Sequence, residues 1–247
     1  MKATALEFRF RMLINLAIVV LGFWAPWIAS WSAGQRIAMV EWLPLQLSRL
    51  SLLTFSVASP VVIILAALIA FIGAVLRVWG TAWLGPATVQ HGEMQAGAVM
   101  ADGPYRYVRN PLYLGLWCMF AALSFLMLPT GALVTMILIT VFLLRLIFGE
   151  ETFLAVQLGK HYQNYLSAVP RVIPRLHSTL PPTGRNPHWL HAVLSELTPI
   201  GVFFTLAFLS WTYDNRLIMR SILITFGVSL VVRALLPAVS KETNLPQ

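Results

Sequence analysis

Apolar residues in this chain fall in long blocks, and the charged ones are confined to the gaps between them. No charge occurs between Arg11 and Arg36, between Arg49 and Arg77, or over the 35 residues between Arg109 and Arg145. One helix over that last run would be about 50 Å long, well beyond the roughly 30 Å of a bilayer core. Leu128-Pro129-Thr130-Gly131 divides it, so the pattern predicts two helices joined by a tight turn. Further apolar blocks run from Leu197 to Tyr213 and from about Leu217 to Pro237. The expectation is an all-α, polytopic membrane helical bundle of about six spans, near 12–31, 52–76, 112–128, 132–149, 197–213 and 217–237.

Composition agrees. Apolar residues make up 58% of the chain and charged residues 11%, against about a quarter in soluble domains. With both termini placed inside, thirteen of the lysines and arginines fall on inner segments and four on outer ones, which obeys the positive-inside rule. An integral protein of the cytoplasmic membrane with cytoplasmic termini is expected. The net charge of +8 is spread along inner loops, so it does not point to nucleic acid. The N-terminal apolar stretch lacks a clear small-x-small cleavage site and reads as a retained helix rather than a signal peptide. The single cysteine, Cys118, permits no intrachain disulfide. Residues 32–51 read as an outer interfacial segment, and residues 177–190 as a linker.

Two polar spots interrupt the apolar pattern. The first is Gly103-Pro104-Tyr105-Arg106-Tyr107-Val108-Arg109-Asn110-Pro111-Leu112-Tyr113-Leu114-Gly115. Its arginines can grip a carboxylate or phosphate, with tyrosine as a neutral donor or stacking face. The plainer explanation is membrane-edge anchors within an aromatic belt. Pro111 fits the first turn of a helix, leaving backbone donors near Asn110 and Leu112 for an anion. The second spot is Arg145 followed by Glu150-Glu151. Adjacent carboxylates at the end of an apolar helix need cations nearby, and a positively charged ligand would supply one. They point about 100° apart on a helix, so one can hold a ligand while the other pairs with an arginine. Alternatively they are simply the charged end of a span. From Glu150 to Tyr165 the spacing is helical, extending the fourth span into a continuous rod that ends at Val169-Pro170-Arg171-Val172-Ile173-Pro174. His188 and His191 lie one turn apart without a third ligand, so no metal site is expected. No dinucleotide fingerprint, phosphate loop or nucleophile elbow is present.

Taken together, residues 103–115, 145–151, the Gly-x-x-Tyr-x-x-Tyr of 159–165 and 169–174 resemble the integral-membrane methyltransferases. These are the isoprenylcysteine carboxyl methyltransferases and the related phospholipid N-methyltransferases. Leu76-Arg77-Val78-Trp79 and Leu84-Gly85 resemble the family's preceding helix. The resemblance implies S-adenosyl-L-methionine bound at the cytoplasmic end of these helices. Glu150 or Glu151 would neutralise its positive charge, and the Asn110-Pro111 helix start would meet its carboxylate. Tyr105 and Tyr113 would line the adenosine or the methyl channel, and Leu114 and Gly115 would allow close backbone approach. Arg145 would orient an acceptor carboxylate, with Arg109 in the same catalytic set. For an amine or thiol acceptor, Glu150 would take the proton. The commoner family motif has histidine where this chain has Asn110, which removes a titratable donor.

The chain thus divides into N-terminal spans with an outer segment (1–69), a methyltransferase-like core (70–175), and a linker with two further spans (176–247). The implied acceptor is lipophilic and enters from the bilayer, an isoprenoid-type carboxylate being favoured over a lipid amine. The competing readings are an NADPH-dependent sterol or lipid reductase and a non-enzymatic lipid-binding protein. The acidic Glu150-Glu151 pair argues against the 2′-phosphate of NADPH.

Overall fold

The structure is a computed structural model that describes residues 2–24, 37–84, 101–178, 180–181 and 186–236. Gly85, His91, Trp31, Arg36, Arg185 and Lys241, and the end of the first expected span, lie outside the described residues.

Every regular element among the described residues is helical. A short α1 (Ala5–Arg9) leads into α2 (Arg11–Phe23). Then come α3 (Met39–Arg49), the 30-residue α4 (Phe55–Leu84) and a 3₁₀ turn at Gly103–Arg106. Next are α5 (Pro111–Ser124) and the 40-residue α6 (Pro129–Ala168). The chain closes with α7 (Trp189–Ser195), α8 (Leu197–Leu209) and α9 (Asn215–Leu235).

Each of the six apolar blocks contains a helix, yet length does not give six spans. Among the described residues, three helices are long and apolar enough to cross a membrane, and α7 and α8, bent by 67° at their junction, could make a fourth. The 14-residue α5 covers about 21 Å at 1.5 Å per residue, short of a bilayer core. The second block was expected to end at residue 76, before Arg77. Instead α4 continues to Leu84, because Arg77 finds a carboxylate inside the protein and does not mark a membrane edge. It also runs across the expected division at 69/70.

α4 is the hub, with α5, α8, α3 and α7 packed around it, while α6 joins α5 and α2 on the far side. Helices in a bilayer associate through close packing more than through apolar burial, so small residues matter at their contacts. Gly115 shows this. A Cβ there would lie 2.9 Å from the Gly73 carbonyl oxygen and 2.7 Å from Arg77 Cγ. The family resemblance implies close backbone approach at Gly115, and the backbone that lies against it in the fold is that of α4. On the other side, Phe8 of α1 enters a core with Ile18, Phe120, Ile139, Phe142 and Leu146. Within the segment read as interfacial, residues 39–49 fold as α3, which hydrogen-bonds through the Met39 and Val40 amides to the carbonyls of Met127 and Phe125, at the α5–α6 turn.

The rod expected after the fourth span is broken. Gly159 has φ +56° and ψ −134°, a conformation open essentially to glycine alone. The kink turns Tyr162 and Tyr165 into a cluster with Val169, Ala101 and Leu158. Tyr165 then donates its hydroxyl proton to the Tyr105 carbonyl at 2.8 Å. The break therefore brings the tail of α6 onto the loop before α5.

Candidate active site

That loop and the segment following α6 are laced together by backbone. The Arg109 amide donates to the Pro170 carbonyl at 2.9 Å, and the Arg175 amide donates to Tyr107 at 3.0 Å. This pairing sets the Arg109 and Arg171 side chains on either side of Glu151. Arg109 Nη1 donates to Glu151 Oε1 at 3.1 Å, and Asn110 Nδ2 donates to the same oxygen at 3.2 Å. Arg171 Nε donates to Oε2 at 2.9 Å, with its Nη2 at 2.8 Å. Asn110 Nδ2 also donates to the Arg171 carbonyl at 3.1 Å, and the Arg171 guanidinium lies over the Phe148 ring. Glu151 is buried, and these donors offset the cost of keeping its charge there.

Glu150 is placed differently. Its one hydrogen-bond donor among the described residues is the Tyr113 hydroxyl, 2.8 Å from Oε2. Nearby, the Tyr105 hydroxyl is buried without a partner among the described residues, as is Nε of Arg109. Burial pushes the Tyr105 hydroxyl well above the usual phenol range, and the neighbouring Glu150 charge adds to this. Tyr105 is therefore a neutral donor at any physiological pH. Buried polar atoms nearly always have partners, so these groups are suited to an external one.

Of the residues singled out from sequence, Tyr105, Arg109, Asn110, Pro111, Tyr113, Glu150 and Glu151 meet in one region around the start of α5. Pro111 occupies the first turn of α5, and no side chain caps that turn. Asn110 faces Glu151 and Arg171, so its amide group serves the protein's own carboxylate. Leu114 is half-buried one residue before the α4–α5 contact at Gly115.

Arg145 does not join this group. It lies about 140° around the helix from Glu150, five residues at 100° each. Its guanidinium is spent on Glu7 of α1, with Nη2 2.9 Å from both carboxylate oxygens, and its carbonyl accepts from the Ala3 amide. Arg106 also turns elsewhere, donating twice to the Leu180 carbonyl. Sequence reasoning missed Arg171 as a site residue, although it lay in plain view within the Val-Pro-Arg motif. It also missed Glu196, whose signal was a lone carboxylate just before the apolar block at Leu197.

An apolar groove of about 480 Å³ runs along the opposite flank of α4. Its walls include Phe71, Val78 and Trp79 of α4, Val193 of α7, and Ile200 and Phe204 of α8. Among the described residues, no cluster of histidine, cysteine and carboxylate side chains could hold a metal ion.

Residues 61–161 match the family described as phospholipid methyltransferase. The match covers about two fifths of the chain, from within α4 to just past the Gly159 break, and stops short of Arg171. No curated protein and no solved structure matches the chain.

Proposed function

We propose that this chain is an S-adenosyl-L-methionine-dependent membrane methyltransferase acting on a lipid amine. The observation that carries the reading is the unequal treatment of two adjacent carboxylates. Glu151 is saturated by Arg109, Asn110 and Arg171, whereas among the described residues Glu150 accepts a hydrogen bond from Tyr113 alone, with the Arg11 charge as its further cationic neighbour. One carboxylate holds the site together and the other is available to a cationic ligand. The phospholipid methyltransferase match over residues 61–161 supports the same class of chemistry.

The residues present fit the donor. Glu150 supplies negative charge for its cationic groups, and the uncapped first turn of α5 supplies backbone donors for its carboxylate. The buried hydroxyl of Tyr105 and Nε of Arg109 supply further donors. When bound, S-adenosyl-L-methionine supplies an electrophilic methyl group on a sulfonium. The chain's own part is to position the acceptor against it and exclude water, which is what an in-line displacement requires. Tyr113 orients Glu150 through Oε2, leaving Oε1 to take the proton from the attacking amine. An amine is preferred over a carboxylate because Arg145, the residue expected to orient a carboxylate, is paired with Glu7.

Calorimetric titration of the detergent-purified protein with S-adenosylhomocysteine, with NADPH in parallel, tests this. Saturable binding of the first alone is expected, lost on Glu150→Gln. Binding of NADPH alone would overturn the methyltransferase reading in favour of lipid reduction.

A further inference from the structure

A second polar cluster lies between α4 and the C-terminal helices, centred on a fully buried carboxylate. Glu196 occupies the bend between α7 and α8 and has no exposed surface. Arg77 donates to it through both Nε and Nη2, each at 2.7 Å, in a bidentate fork. Thr81, one helical turn further along α4, donates to Oε1 at 2.8 Å. Arg233 of α9 stands 3.9 Å away, its Nε bonded to the Ser195 carbonyl. Four helices thus meet at one buried charge, α4, α9 and the two joined at the bend, and all but α4 lie wholly outside the segment that matches the methyltransferase family.

The same Arg77 is wedged against the start of α5. Its Cγ occupies the space a Gly115 side chain would need, and its Nη1 lies 3.5 Å from the Leu112 carbonyl. A Cβ on Gly80, three residues along α4, would fall 2.7 Å from Leu112 Cδ2. With so little slack, the position of Arg77 sets where the first turns of α5 sit against α4. Those turns carry Tyr113, which holds Glu150, and follow directly on Asn110, which holds Glu151.

We infer that Glu196 is a positioning residue: by fixing Arg77, the C-terminal helices set the geometry of the α5 start and hence of the ligand site around Glu150. The inference rests on the methyltransferase reading only for the identity of the ligand. It predicts that a change at Glu196 is felt across α4, at residues 111–118, and not only in the bend where it sits.

The experiment compares the full-length protein with Glu196→Gln and with the double variant Arg77→Met/Glu196→Met. The double variant guards against misfolding, since a buried ion pair replaced by apolar side chains of similar size is often neutral for stability. Hydrogen exchange on the ligand-free proteins is read at residues 111–118 and at 189–200. Affinity for S-adenosylhomocysteine is measured in parallel. Both variants are expected to exchange faster at 111–118 and to bind roughly tenfold more weakly, in the range of couplings carried through packed side chains. Faster exchange confined to 189–200, with unchanged affinity, would overturn the inference. If the unaltered protein fails to bind S-adenosylhomocysteine, the methyltransferase reading fails instead, and exchange at 111–118 still decides the role of Glu196.

Discussion

Glu150 and Glu151 are neighbours in sequence with opposite duties, and substitution should separate them. Glu151→Gln leaves Arg109 and Arg171 without their carboxylate in a largely buried site. Breaking such a cluster costs about 3 kcal/mol, reduced where Arg171 reaches solvent. A clear fall in the melting temperature of the detergent-solubilised protein is expected. Glu150→Gln weakens the Tyr113 contact and removes the attraction to the Arg11 charge but breaks no close ion pair among the described residues, so melting should fall less than in Glu151→Gln while ligand affinity falls. Equal melting of the two variants would contradict this division. Arg145 and Glu7 make a pH-dependent contact. Hydrogen bonds from the Arg145 guanidinium hold the Glu7 carboxyl below its ordinary value of 4.5. A lowered folded-state value means the stabilisation is complete above pH 4.5 and is lost as pH falls through the lowered value. Limited proteolysis should therefore begin to cut around α1 only below that pH, and an Arg145→Met variant should be cut equally at all pH values.

At the scale of elements, the break in α6 has the clearest consequence. A Cβ on Gly159 meets no neighbour, so the penalty for Gly159→Ala comes from the backbone alone, about 1–3 kcal/mol for such a conformation. If alanine instead straightened the helix, Tyr165 would leave the Tyr105 carbonyl and the loop before α5 would lose its support. Loss of ligand binding exceeding the loss of stability is the expected result, measured by titration alongside thermal melting. The Gly-x-x-Tyr-x-x-Tyr spacing was legible in the sequence, and so was helical periodicity through it. The kink was not, because a positive φ at one glycine leaves the apolar period on both sides intact. The start of α5 was read correctly from Pro111, whose fixed φ and missing amide suit a first turn.

For the whole molecule, the C-terminal helices are part of the site-bearing body. α8 and α9 pack on each other and α8 on α4, with Glu196 buried among them. Removing residues 176–247 would strip Arg77 and Thr81 of a shared buried acceptor. The shortened protein is expected to aggregate on size exclusion in detergent, whereas a detachable pair of spans would leave it monodisperse.

The sequence by itself determined the helical class, the apolar blocks and most of the residues around Glu150, because those signals are local. Blocks of apolar residues, a proline at a helix start and a charge stranded in an apolar run need no partner to be recognised. Tertiary structure decided which charges meet. It sent Arg145 to Glu7, brought Arg171 from beyond α6 to Glu151, and joined Arg77 to Glu196 over 119 positions of chain. The physical reason is that a guanidinium beside apolar helices gains from any carboxylate within reach, and many pairings satisfy that need. Helix packing, as at Gly115, and the backbone pairing of residues 107–109 with 170–175 select among them.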